Sequence, residues 1–137
     1  MNVGIIERPD GGVSVVNPAE GFTVQDNFDR MGETGFEIDK SELPDSRTFR
    51  NAWTTDGSSV EVDMAKAKEI AIIANEKSTG KALLLLQPLL EMAIDEGATI
   101  GEQVIRDDRR AKRLALQNKI DEINIATTAE QLESLMP

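Results

Sequence analysis

The sequence predicts an α+β fold: N-terminal β-hairpins, followed by a C-terminal antiparallel helical hairpin and a short terminal helix. Three observations predict it. Seven of the ten glycines and three of the five prolines lie before Val62, and these residues punctuate the turns between short strands. In the same half, apolar residues alternate in short runs bounded by turn dipeptides, the signature of half-buried strands. From Asp63 onward, apolar residues recur at helical spacing over two long stretches. The change of pattern divides the 137 residues into a β-rich subdomain, 1–62, and a helical subdomain, 63–137.

The elements follow in order. Val3, Ile5 and Ile6 form an apolar run, Arg8-Pro9-Asp10-Gly11-Gly12 is a turn, and Val13, Val15 and Val16 return from it. This reads as a β-hairpin ended by Asn17-Pro18. The acidic, mixed segment 20–33 fits a short helix and an irregular loop equally well. Phe36 and Ile38 alternate with Glu37 and Asp39 and suggest a short strand. After the turn region Ser41–Asp45, alternation places Phe49, Asn51 and Trp53 on one strand face. The turn Thr54–Ser59 contains Asp56-Gly57, a favoured hairpin pair, and Val60 and Val62 complete a second hairpin over 49–62.

In the second half, Asp63 is an N-cap without the acidic partner of a full capping box, since Lys66 stands three residues on. Met64, Ala67, Ala71 and Ala74 line one helical stripe, widened by Ile70 and Ile73. Ser78-Thr79-Gly80 either interrupts or weakens this helix. The pattern resumes from Leu83 to Ile94, apolar nearly all round, where Pro88 is expected to kink or start a helix. Glu96-Gly97-Ala98 is a stop. Thr99 with Glu102 reads as a capping box for a helix to about Asn124, with Ile105, Leu116, Ile120 and Ile123 as core candidates. Thr127 or Thr128 caps a last helix, 129–136, with Leu132 and Leu135 facing inward. A connection this short makes the two long helices antiparallel neighbours.

Composition narrows the chemistry. The chain has no cysteine, histidine or tyrosine. Disulfides, Cys/His zinc sites, thiol nucleophiles and Ser-His or Cys-His pairs are therefore ruled out. Fifteen Lys and Arg against 25 Asp and Glu give a net charge of −10, which disfavours generic nucleic-acid binding. The N-terminal segment, with Glu7, Arg8 and Asp10, lacks the basic and apolar regions of a signal peptide. The longest apolar stretch, 82–94, is shorter than the roughly 20 residues of a membrane span. A cytosolic protein, or part of an assembly built in the cytosol, is expected.

Several motifs read as structure rather than chemistry. Ser78-Thr79-Gly80-Lys81 resembles the end of a phosphate-binding loop, but Asn75 and Ala82 occupy the positions of the required glycine and hydroxyl residue. Asn27, Asp29 and Gly32 recur at calcium-loop spacing, but Ile38 stands where the last carboxylate ligand belongs. Paired carboxylates such as Glu91 with Asp95, or Asp107 with Asp108, read as solvated charges rather than an acid–base pair. Phe49 and Trp53 read as core. No catalytic residue, metal ligand or cofactor site is expected. Two features suit a partner: the apolar run, represented by Leu83, Leu84, Leu86, Leu89 and Leu90, and the basic cluster, represented by Arg106, Arg109, Arg110 and Arg113. The plainer reading of that cluster is a solvated helix face, with Asp107 and Asp108 at ion-pair spacing to Arg110 and Lys112.

The segment Phe49-Arg50-Asn51-Ala52-Trp53, followed by a polar turn and Val60-Glu61-Val62-Asp63-Met64-Ala65-Lys66-Ala67-Lys68-Glu69-Ile70, resembles a family of small proteins of tailed bacteriophages and prophages. The order of elements is similar too: an early hairpin like 5–16, a Leu-Pro like Leu43-Pro44, a helical hairpin, and a terminal Thr-x-x-x-Leu like Thr128 to Leu132. The resemblance covers about twenty residues well and the rest loosely. Where relatives carry a basic, histidine-containing helix after Ile70, this chain has apolar Ala71, Ile72, Ile73 and Ala74. The resemblance implies the tail and tail-fibre gene region, and hence the virion, with the host cytoplasm as the site of assembly. It carries no catalytic motif.

The expectation that follows is a virion-associated structural or accessory protein, of the tail, acting through protein–protein contacts in an oligomeric assembly. Its partners would be other phage structural proteins or copies of itself, with no nucleic acid and no membrane. The alternative is a non-structural tail assembly chaperone that shields a partner's interface until assembly. An enzyme ranks last, because only Lys, Asp or Glu remain to build a nucleophile–base pair.

Overall fold

The computed structural model describes all residues, 1–137, and divides into two compact units, Met1–Ala67 and Lys68–Pro137. The division falls a few residues beyond the 62/63 boundary expected from composition, within the first turn of the first long helix.

In the N-terminal unit, β1 (Asn2–Glu7) is the centre of a three-stranded antiparallel sheet, flanked by β2 (Val13–Val16) and β3 (Phe36–Asp39). The register pairs Ile5 with Val15 on one side and with Phe36 on the other. Strand geometry sends alternate side chains to opposite faces. Both faces of β1 are covered, so its four central residues are all buried. Val3 and Ile5 join Val13, Ile38, Trp53 and Val60 in one cluster. On the other face, Ile6 packs with Val24 and Phe28 of α1 (Val24–Met31).

Gly4 lies on the α1 face, and a Cβ there would stand 2.7 Å from Val24 Cγ1 and 2.8 Å from Phe28. The helix rests directly on the strand backbone. The helix itself is a short one with both ends closed. Thr23 and Asp26 form a reciprocal capping box at its start, and Gly32 ends it in the left-handed conformation (φ 66°). This settles the segment 20–33, where helix and loop were equally compatible with the sequence.

The second hairpin is shorter than alternation suggested. Its strands are β4 (Trp53–Thr55) and β5 (Val60–Val62), paired Trp53 to Val62. Residues Arg50–Ala52 form a 3₁₀ turn, so Phe49, Asn51 and Trp53 do not share a strand face: Phe49 and Trp53 are buried and Asn51 is exposed. The turn instead buries Phe49 with Ala52, the i and i+3 positions that line up in a 3₁₀ turn, and Trp53 follows as the first strand residue. The turn is tied down by Asp56, whose carboxylate accepts from the backbone N–H groups of Ser58 and Ser59, each at 2.9 Å.

The rest of the chain is helical: α2 (Met64–Asp95), α3 (Thr99–Ile125) and α4 (Ala129–Ser134), with α2 and α3 packed together as a hairpin. Asp63 caps α2 by accepting from Ala65 and Lys66 N–H. The helix continues through Ser78-Thr79-Gly80 and through Pro88 without a break. Pro88 and Leu84, one turn earlier, whose carbonyl loses its donor, are both exposed, so the missing bond falls on a solvent-facing part of the helix. Gly97 (φ 65°) makes the reversal. Thr99 does not cap α3: it is the first helical residue, Ala98 precedes it without a side-chain cap, and Glu102 pairs with Arg106 instead. Thr128 does cap α4, reciprocally with Gln131. Leu132 of α4 and Ile123 of α3 are fully buried, and Asn75 of α2 donates to the Leu135 carbonyl at 3.0 Å.

Candidate functional site

The residues singled out on α2 do not form one face. Leu83, Leu86 and Leu90, at i, i+3 and i+7, turn inward: Leu90 is buried and the other two half-buried. Leu84 and Leu89 turn outward and are 73% and 51% exposed. Leu85, unselected in the sequence, is more exposed still, and Met92 and Ile94 follow it. Across the reversal, Ile100 and Val104 of α3 are also exposed. A run that is apolar all round presents a surplus to any two-helix arrangement, because each helix has only one seam. The helical 3.6 periodicity, extended past Gly97, would have found Ile100 and Val104.

The basic cluster divides as well. Arg106, Arg110 and Arg113 are exposed, while Arg109 is half-buried and its Nε has no hydrogen-bond partner. Arg106 bonds Glu102 (2.8 Å), Arg110 approaches Asp107 (3.7 Å) and Lys112 pairs with Asp108 (3.2 Å). These pairs on an exposed helix surface are each worth little in stability. Arg113 takes part in no ion pair.

Between α2 and α3 runs an open groove of about 220 Å³, with Ser78 and Thr79 on one wall, Lys112 and Lys119 on the other, and Leu116 between them. The Ser78–Lys81 motif thus lies in a helix interior, where the backbone N–H groups are engaged in the helix and no phosphate-cradling loop exists. Asn27 and Asp29 are likewise occupied within α1, Asn27 donating to the Thr23 carbonyl and Asp29 accepting from Gln25. No group of three or more acidic, His or Cys side chains is placed to hold a metal, and no helix is long and apolar enough to cross a membrane.

A second concavity, of about 190 Å³, lies in the N-terminal unit. The loop from Lys40 to Arg47 makes its walls, held at its start by Asp39, which accepts from the hydroxyl and N–H of Ser41. These bonds, with the Met1 ammonium, hold the Asp39 carboxyl well below its usual range, at about 2. Lys40, Asp45 and Arg47 contribute charge, Leu43 and Pro44 apolar surface, and Trp53 the remaining side. Trp53 is 2% exposed, and its indole Nε1–H is buried with no acceptor. Such an orphaned donor costs about 1–3 kcal/mol. Alternation in the sequence had accounted for Trp53 as core, and it is core; the unsatisfied N–H has no sequence signal.

Compared with family models, with curated proteins and with solved structures, the chain matches none.

Proposed function

We propose that the chain is a structural or accessory protein of a tailed-bacteriophage virion, of the tail, that works by protein–protein contact. The phage assignment rests on the Phe49–Ile70 resemblance. The contact mode is supported by one observation above the others: Leu84, Leu85, Leu89, Met92, Ile94, Ile100 and Val104 stand at or above about half exposure at the end of the helical hairpin around its reversal. Apolar surface clustered this way is the kind that proteins bury against partners. The partner in this reading is another structural protein of the particle, which covers the outer side of the apolar run, with the exposed Arg106, Arg110 and Arg113 as the polar rim.

Quantitative mass spectrometry of purified particles tests it. The chain is expected in the particle at a fixed copy number. Presence in infected cells with absence from the particle overturns the structural role in favour of an assembly chaperone, and absence from both removes the phage reading.

A further inference from the structure

We propose that the helical hairpin pairs face to face with a second copy of this chain, through the side of α2 and α3 that carries the groove. The groove fixes which side that is. Its walls hold Ser78 and Ala82 of α2 and Lys112, Ala115 and Lys119 of α3, so these positions share one side of the hairpin. Helical periodicity extends both walls towards the reversal. On α2, Leu85, Leu89 and Met92 continue Ser78 and Ala82 at alternating steps of four and three, and they are 76%, 51% and 56% exposed. On α3, Asp108 and Val104 continue Lys112 at steps of four, and Val104 is 63% exposed. By the same periodicity the opposite side carries Gln87 of α2 with Arg106, Arg113 and Gln117 of α3, all exposed.

Three features of this side fit a copy of itself. The first is shape. Leu85, Leu89 and Met92 are knobs, and the groove next along the same side, between Ala82, Ala115 and Leu116, is a hole. A two-fold axis lying across the face between them makes the hairpins antiparallel and sets the knobs of each copy over the groove of the other. The result is a closed, isologous contact and a four-helix bundle. The second is charge. Asp95 and Glu96 are exposed at the reversal, and Lys119 at the groove end takes part in no ion pair. The antiparallel arrangement brings the acidic end of each copy towards Lys119 of the other. The third is area. From Asn75 to Met92 two adjacent helices present a face about 27 Å long and about 20 Å wide, on the order of 500 Å². Two such faces bury about 1,000–1,200 Å², the lower end of a specific interface. That area fits a Kd of about 10–100 µM, so the single chain prevails in dilute solution. The inference rests on reading this apolar end as a contact surface, and it names the occupant of the groove side.

Analytical ultracentrifugation of the full chain, from about 1 to about 500 µM, tests it. The mass is expected to rise from the 15.0 kDa of one chain to twice that value and no further. Leu85→Glu combined with Leu89→Glu, both at exposed positions, is expected to weaken association at least about ten-fold with the helical circular dichroism unchanged. Lys119→Glu is expected to weaken it about two- to five-fold. Leu84→Glu, off the groove side, leaves it unchanged. The chain has no cysteine, so Leu85→Cys introduces a single thiol close to the two-fold axis. Oxidation is expected to give a covalent dimer there, and not in Arg113→Cys on the opposite side. A mass of one chain at about 500 µM, association undiminished in the double Glu variant, an equal loss in Leu84→Glu, or equal cross-linking of the two Cys variants overturns the proposal. A monomer in solution that is present in particles at a fixed copy number removes this pairing and leaves the virion role standing. A dimer that is absent from particles does the reverse.

Discussion

The N-terminal unit and the helical unit solve the same burial problem with different completeness. In the first, β1 is covered on both faces, by α1 on one side and by Trp53 and Val60 on the other. Its large exposed apolar side chains are only Met1, Phe22 and Met31. Phe22 is itself partly screened by Arg30, whose guanidinium carbon sits 5.3 Å from the ring centre. In the second unit, ten large apolar side chains are exposed, from Ile73 to Ile125. The difference is geometric. A central strand between two layers has two buried faces, and every residue of it finds cover. A helix in a two-helix hairpin buries one stripe, and an apolar run that goes all round must leave the remainder outside. A layered β unit is therefore satisfied at about sixty residues, while two helices of 32 and 27 residues are not.

Four measurements break or sharpen this contrast, from the largest expected effect down. Trp53→Ala removes the largest fully buried side chain of the β unit and is expected to cost about 3–5 kcal/mol in urea unfolding; a change near zero would mean that the two-sided cover of the sheet does not depend on it. On α2, Leu90→Ala is expected to cost about 2–5 kcal/mol and Leu85→Ala no more than about 0.5. Equal costs would show that the outer side of α2 is covered, and would erase the difference between the units. Gly4→Ala drives a methyl into Val24 and Phe28 and is expected to cost about 1–3 kcal/mol, read as a shift of the urea midpoint at constant slope.

The smallest effect is electrostatic. The backbone N–H groups of Ser58 and Ser59, with the Ser58 hydroxyl, hold the Asp56 carboxyl down to about 2 from 3.8. A carboxyl lowered in the folded state adds stability above its unfolded value, and that contribution fades as pH falls from about 4 to about 2. Asp56→Asn is expected to flatten the dependence of the thermal midpoint on pH over this window relative to the parent chain; an unchanged slope would mean that the turn bonds to Asp56 do not hold its carboxyl down.

Much of the architecture was readable along the chain because it is local. Arg8–Gly12 reverses direction through the Asp10 carboxylate, which accepts from Gly12 N–H at 2.7 Å, and the turn residues announce this directly. Asp63 and Thr128 cap helices for the same reason: a short side-chain oxygen reaches the N–H two or three residues on. Elsewhere the local pattern misleads. Thr99 has the spacing of a cap, yet α3 starts one residue early and Glu102, the partner a capping box needs, pairs with Arg106 instead. Phe49–Trp53 alternates like a strand and is half a 3₁₀ turn. Pro88 breaks nothing, since a missing donor on a wet helix face is cheap.

The candidate sites were less legible. The run 83–90 was identifiable as surplus apolar surface, but its division into inward Leu83, Leu86 and Leu90 and outward Leu84, Leu85 and Leu89 follows from where α3 lies against it. Arg109 belongs by sequence with Arg106, Arg110 and Arg113, and only its half-buried side chain sets it apart. The Trp53 cleft was invisible, because its parts are separated by a loop and a 3₁₀ turn that bear no motif.

By itself the sequence determined that no cysteine or histidine chemistry is available, the order of strands and helices, and most of the turns and caps, because these depend on residue type and on neighbours within a few positions. The tertiary structure alone decided which apolar and basic side chains face solvent and that the buried Trp53 indole N–H is left without an acceptor. Burial and pairing are properties of residues brought together from distant parts of the chain, and no local pattern encodes them.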